Sequence, residues 1–207
     1  MSFTRLISLF EGSQIMTFIG YFFIFNISLI FIEIVIDLMT SKKRRWKDTG
    51  ANFLIFIINQ ILQKTVVGSI GVICLIPFHW LTPFSIPINL LTWVLAFFIA
   101  DLTYYWMHRI EHEQRILWAL HSVHHSSNDY NLSISFRLSI IEGLIEWVFL
   151  IPMILVGFSP FQAIVGLILV AQFQTWIHTE RIGKLGWLDK IFNTPSVHCV
   201  HHGSNRK

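Results

Sequence analysis

"TVVGSIGVICLIPFHWLTPFSIPINLLTWVLAFFIA", residues 65–100, contains no Asp, Glu, Lys or Arg. It is too long for one hydrocarbon crossing, which takes about 20 residues. Pro77, Pro83 and Pro87 divide it into two arms joined by a short turn, "FHWLTPFSIPIN" (78–89). A chain that enters lipid and returns must satisfy its backbone hydrogen bonds within each arm, so the arms are helices. The expected fold class is all-α, a polytopic membrane helical bundle.

Other uncharged runs extend the pattern on both sides. Gly12 to Ile32 is long enough for one crossing, with Glu33 and Asp37 at its lower end. The loop "SKKRRWKD" follows, with a base at five of the six positions Lys42 to Lys47; by the positive-inside tendency it faces the cytosol. A span begun near Ala51 takes in Lys64, a charge that would face other helices or water. Trp147 to Thr179 is again uncharged and is cut by Gly157, Ser159 and Pro160 into two tight helices or a re-entrant hairpin. The expected spans are roughly 15–39, 52–78 and 87–107, with a hairpin over 140–178, in a single domain over residues 1–207.

Composition agrees with this. The chain is 54% hydrophobic and only 13% charged, about half the charged share of a soluble domain. Its mean hydropathy is +0.60. A net charge of +3 gives no surface for nucleic acid. Cys74 and Cys199 do not form a disulfide framework. The opening "MSFTRLISLFEGSQ" does not read as a cleaved signal peptide.

Against this background the ten histidines stand out. "HRIEH" places His108 and His112 at i and i+4 on one helix face. "HSVHH" sets His121, His124 and His125 at i, i+3 and i+4, and "HCVHH" repeats the spacing with His198, His201 and His202. Counting sides from the basic loop, these eight and His178 all fall at the cytosolic ends of helices. They form a histidine-rich cytosolic cap. His79 falls in the outer turn and reads as an interfacial polar residue beside Trp80.

Eight or nine imidazoles exceed the four ligands of one tetrahedral ion and suit two ions with open positions. Imidazole alone does not choose among iron, zinc, copper and nickel. A site at the end of apolar helices points to an acyl or alkyl substrate. Attack on an unactivated C–H bond needs redox chemistry, which zinc lacks. Iron activating O2 is the consistent reading. A membrane metal-binding or transport protein would hold its ions near the bilayer midplane. A haem takes two axial ligands and leaves most of these histidines unused.

The pattern H-x3-H, H-x2-H-H and a later H-x2-H-H resembles the fatty acid hydroxylase and sterol desaturase superfamily. "DLTYYWMHRIEHEQRILWALHSVHHSSNDYNLS" and "IHTERIGKLGWLDKIFNTPSVHCVHHGSN" look like the alkylglycerol monooxygenase branch and its bacterial members. The likeness covers roughly Asp101 to Asn205. It implies a membrane di-iron oxygenase that hydroxylates a lipid alkyl or acyl chain or a sterol. A desaturase would use the same site. The implied metal ligands are His108, His112, His121, His124, His125, His198, His201 and His202, with His178 completing the set. Glu113 matches an acidic position of that branch and takes a supporting role; the alternative is a solvated residue near Arg109 or Arg115. Asp101 would orient a metal-bound imidazole, as carboxylates commonly do, or else simply end its span. Tyr104 and Tyr105 read as interfacial aromatics. The resemblance also implies two iron ions, O2, an external electron donor (tetrahydrobiopterin in the alkylglycerol branch) and a lipid substrate drawn from the bilayer. The expected home is a bacterial inner membrane, or the endoplasmic reticulum in a eukaryote. Relatives continue past the final "GSNRK", so a truncated C-terminus is expected.

Overall fold

Asn89 ends the turn between the two apolar arms and starts the helix that carries the first histidines. Its backbone is extended, its side chain accepts from the Thr92 N–H at 3.0 Å, and its own N–H donates to Thr92 Oγ1 at 3.0 Å. This reciprocal cap satisfies two amides that a helix start leaves free. The helix so begun, α4 (Leu90–Glu113), has 24 residues. At 1.5 Å per residue it is roughly 36 Å long, enough to cross the hydrocarbon and deliver its last turn beyond it.

The computed structural model describes residues 3–62, 66 and 68–203, and no strand occurs among them. Lys64 and the final residues 204–207 lie outside the described residues. Helices α1 (Phe3–Met39), α2 (Trp46–Leu62) and α3 (Gly68–Leu81) precede α4. Helices α5 (Arg115–His121), α6 (Glu142–Leu155), α7 (Pro160–Phe173) and α8 (Pro195–His201) follow it. Among the described residues three helical stretches are long and apolar enough to cross a membrane: Ser13–Met39, Leu90–Glu113 and Pro160–Ile177.

The expected hairpin over 140–178 falls on α6 and α7. Gly157, at φ +106°, makes the reversal in a region that favours glycine. Ser159 and Gln162 then cap α7 reciprocally, with Pro160 at its first position. The arms are unequal: a 3₁₀ turn continues α7 to Ile177, 18 residues in all, whereas α6 has 14, roughly 21 Å and too short to cross alone. The described part of α3 equals α6 in length. They pack against each other, and Gly71 lets α3 close on Trp147 of α6. Pro77, expected among the breakers, lies inside α3, which runs on to Leu81.

The expected span over 52–78 falls on α2 and α3. Helix α2 lies along the cap segment: Asn52 donates to Ser133 Oγ at 2.9 Å and Asn59 to the Leu138 carbonyl at 2.7 Å. Phe53 and Phe56 meet Phe136. The main core lies between α3, α4, α6 and α7, around Leu75, Ala96, Ala100, Leu150, Ile154 and Val170. Small residues bring α4 and α7 together, with Gly166 seated on Ala96 and Ala100. That is how helices pack where no water drives them together.

Candidate metal centre

Four segments separated in sequence bring nine imidazoles to one end of the bundle. The last turns of α4 contribute His108 and His112. The end of α5 and the 3₁₀ turn His124–Ser126 contribute His121, His124 and His125. His178 follows a 3₁₀ turn, Gln174–Ile177, that continues α7. Helix α8 and its cap contribute His198, His201 and His202. Pro195 stands at the start of α8, where its missing N–H costs nothing.

The rings sort into two adjoining groups. His124, His178, His198 and His202 form the first, with ligand atoms within 4.8 Å of one another. His178 Nε2 lies 3.1 Å from His124 Nε2 and 3.0 Å from His198 Nε2, and His202 Nε2 lies 3.2 Å from His198 Nε2. The second group joins two overlapping triads, His108, His112, His121 and His112, His125, His201, each equally tight. His125 and His202 stack at 4.2 Å between ring centroids and connect the groups. All nine expected histidines are therefore brought together, and His79, on α3, is not among them.

The chemistry of this donor set fits metal ions. The Nδ1–H of His178 donates to the Gln174 carbonyl at 2.9 Å, which leaves its Nε2 with a lone pair aimed at neighbouring ring nitrogens. His112, His121 and His125 each bury an Nε2 that has no hydrogen-bond partner. Orphaned, inward-facing nitrogens at this density suit a cation between them. Burial first, and the neighbouring imidazoles second, push the His125 pKa down to about 3 and those of His124, His198 and His202 well below the usual value. These rings are held neutral, the form that binds metal.

Carboxylates and amides fix the rings from outside. His121 Nδ1 donates to Glu142 Oε1 at 2.8 Å, and Glu111 Oε2 stands 3.4 Å from the same nitrogen. Both carboxylates are buried. Asn193 reaches His198 Nδ1 at 3.1 Å, and Tyr104 stacks on His108 with centroids 5.9 Å apart.

Glu111 and Glu142 were not among the expected site residues. Glu111 lies within "HRIEH" itself, and Glu142 is an acid at the head of an apolar helix, so both carried a readable signal. Asn193 carried none. The two expected acids sit elsewhere. Glu113 is more than half exposed and pairs with Arg109 at 2.9 Å, one of the alternatives weighed for it. Asp101 is exposed on α4, and no hydrogen bond or ion pair joins it to a histidine. The helix turns Glu113 about 100° from His112, while Asp101 shares the histidine face but sits two turns, roughly 10 Å of rise, before His108.

Comparison with known proteins adds a family. A family model described as fatty acid hydroxylase matches residues 93–207, more than half the chain and all nine histidines. The chain is 49% identical over 115 residues to alkylglycerol monooxygenase of Homo sapiens, covering 56% of this chain and 26% of that protein. It is 32% identical over 111 residues to ornithine lipid hydroxylase of Rhizobium tropici, covering 53% of this chain and 33% of that one. It is 27% identical over 113 residues to a delta(7)-sterol 5(6)-desaturase of Gibberella zeae, covering 53% and 34%. The chain thus spans about a quarter to a third of the length of these relatives. No solved structure matches it.

Proposed function

This chain belongs to the fatty acid hydroxylase family, and from that premise we propose that it is a membrane di-iron oxygenase that hydroxylates a lipid chain with O2. The observation that carries the reading is the pair of adjoining histidine groups at the ends of apolar helices. His124, His178, His198 and His202 would hold one iron, and His108, His112, His121, His125 and His201 the other. Bound there, the iron pair supplies the redox chemistry that cleaves an unactivated C–H bond with O2. The balance is one C–H and one O2 in, two electrons and two protons from a donor, one C–OH and one water out. The external donor is a reduced pterin or an electron-carrier protein.

The chain's own groups set the conditions for that step. Glu142 holds His121 by its Nδ1–H with Glu111 standing beside it, and the Gln174 carbonyl does the same for His178. A cavity of about 380 Å³ opens between α4 and α6, lined by Ile99, Thr103, Trp106, Val148, Met153 and Val156. Its α4 residues form a stripe on the side of that helix opposite His108, so it offers an alkyl chain apolar surface within the bilayer without opening directly onto the histidines.

The 49–50% identity to alkylglycerol monooxygenases favours a glycerol ether as substrate. Hydroxylation beside the ether oxygen would give a hemiacetal that separates into an aldehyde and glycerol. Desaturation would draw on the same metals. Transport fits less well, because the histidines follow helix ends rather than breaks at the midplane. The basic loop supports a cytosolic site: Lys42 pairs with Glu180 and the Arg45 amide with Asp129, so loop and histidines share one face. The membrane would be a bacterial inner membrane, or the endoplasmic reticulum in a eukaryote.

The test is anaerobic purification with metal analysis, then O2-dependent turnover of 1-O-alkylglycerols, free fatty acids and sterols with each donor. Two irons per chain and an oxygenated product are expected, with the product lost and the iron content lowered in His124→Ala. Turnover that survives His124→Ala would overturn the assignment.

A further inference from the structure

We propose that a buried ionic cluster at the end of α1 is a positioning unit for the four-histidine group, acting through Thr179; this rests on reading that group as a metal site. Three of its four charges, Glu33, Asp37 and Arg44, lie before residue 93, outside the stretch that the family model matches. Glu33 and Asp37 sit on the last turns of α1, and Arg44 lies in the basic loop, all three buried. Arg44 Nη1 donates to Asp37 Oδ2 at 2.7 Å, its Nη2 to Asn131 Oδ1 at 2.7 Å, and its Nε to Thr49 Oγ1 at 3.0 Å. Arg181 donates to the other oxygen of Asp37. Two cations and two anions are thereby closed into one network.

What points beyond stability is how Glu33 spends its oxygens. Its contact with Arg44 is long, at 3.4 Å. Its short bonds go elsewhere: Oε1 accepts from Thr179 Oγ1 at 2.6 Å, and Oε2 from the Leu132 N–H at 2.9 Å. Thr179 directly follows His178. Leu132 lies in the segment that returns from His124 and His125, where Asn131 is already gripped by Arg44. One carboxylate thus pins the two chain segments that carry His124 and His178, whose Nε2 atoms stand 3.1 Å apart. A buried ion pair is weak evidence for stability, since desolvation offsets its Coulomb gain. A fully hydrogen-bonded network does fix geometry, and groups that orient metal ligands are worth about 10- to 100-fold in metal affinity.

Thr179→Val removes the hydroxyl while keeping the shape and leaving every charge in place; Thr179→Ser restores the hydroxyl. Each chain is purified in detergent and titrated with Co²⁺, following the visible bands and the stoichiometry. The parent is expected to take up two ions. In Thr179→Val one uptake step weakens about tenfold. It is the step that His202→Ala abolishes, the other is unchanged, and Thr179→Ser binds as the parent does. Should Thr179→Val not elute as a monodisperse species, Glu33→Gln, which keeps one acceptor but removes the charge, carries the same prediction. Normal binding of both ions by Thr179→Val would overturn the positioning role, as would equal weakening of both steps or equal loss in Thr179→Ser. A parent that binds no cobalt would overturn the metal-site reading and the positioning unit with it.

Discussion

At the scale of single residues, the site turns on imidazoles kept neutral inside the protein. Unfolded, a histidine takes up a proton near pH 6.5. Folded, His125 resists it until about pH 3, and His124, His198 and His202 are likewise lowered, because burial and neighbouring rings penalise the charged form. Between those pH values the unfolded chain binds more protons than the folded one, so stability falls as pH falls. Above pH 6.5 these groups are neutral in both states and add no slope. The metal-free protein should therefore melt at steadily lower temperature from pH 6.5 to pH 4, and be flat in this respect from 7 to 8. Thermal melts across that range check it; a melting temperature that rises on acidification would contradict it. Glu142 supplies the second prediction. Removing the acceptor for His121 Nδ1 in Glu142→Ala frees that ring to turn and should weaken metal binding about 10- to 100-fold. A competitive chelator titration measures this, and Glu111→Ala, whose oxygen stands farther off at 3.4 Å, should cost less. The histidines were legible in the sequence because metal chemistry needs that side chain at helical spacing. The acids that orient them were less so. Glu111 and Glu113 flank His112 on either side, and only the helix phase, fixed by packing, decides which one faces the site.

At the scale of elements, the bundle is assembled through small residues, and their tolerance to a methyl group differs in a way geometry predicts. A Cβ on Gly71 would fall 1.8 Å from the Trp147 ring, so Gly71→Ala forces the indole or the whole of α3 to move. A Cβ on Gly166 would meet Ala100 Cβ at 3.0 Å and the Ala96 carbonyl at 3.1 Å, a crowding of a few tenths of an ångström. Overpacking costs about 1–3 kcal/mol, and alanine returns up to about 1 kcal/mol of helix propensity. Gly71→Ala should thus destabilise clearly, by about 1–2 kcal/mol net. Gly166→Ala should be close to neutral, while Gly166→Leu should disrupt the contact between α4 and α7. Thermal melts of the three variants in one detergent give the order; equal melting points for the two alanine variants would refute it. The apolar runs announced the helices, and Pro83 with Pro87, and Gly157 with Ser159 and Pro160, marked two of their boundaries. Hydropathy did not reveal that α2 lies along the cap. The residues that hold it there, Asn52 and Asn59, read as ordinary polar positions until Ser133 and Leu138 are seen beside them. Pro77 misled in the same way, since an apolar helix between packed neighbours absorbs a proline that would end a solvated one.

At the scale of the whole molecule, the histidines unite parts of the chain that share little else. Helices α4 and α7 are anchored by the apolar core. Helix α8 has seven residues, exposes Val197 and Val200, and buries Pro195 and His198, with Thr194 and Ser196 bonded to Asp189 at its start. So short a helix is not stable by itself. A metal ion bound at His124, His178, His198 and His202 would tie α8 to the 3₁₀ turns on both sides, and binding to the folded state alone stabilises by about 2.7 kcal/mol at a hundred times Kd. Chelation should therefore act unevenly. Amide exchange and proteolysis should rise first over residues 195–203 and around 174–180. The core positions Ala96 to Ala100 of α4 and Ala163 to Val170 of α7 should keep their protection. The overall melting temperature should drop, and added metal should restore it in proportion to the ions retaken. Hydrogen exchange with and without chelator makes the comparison within one sample. Uniform loss of protection along the chain would mean that the metals hold the whole bundle together. No change over 195–203 would mean that α8 is held by packing alone, and that the histidines it carries are not ligands.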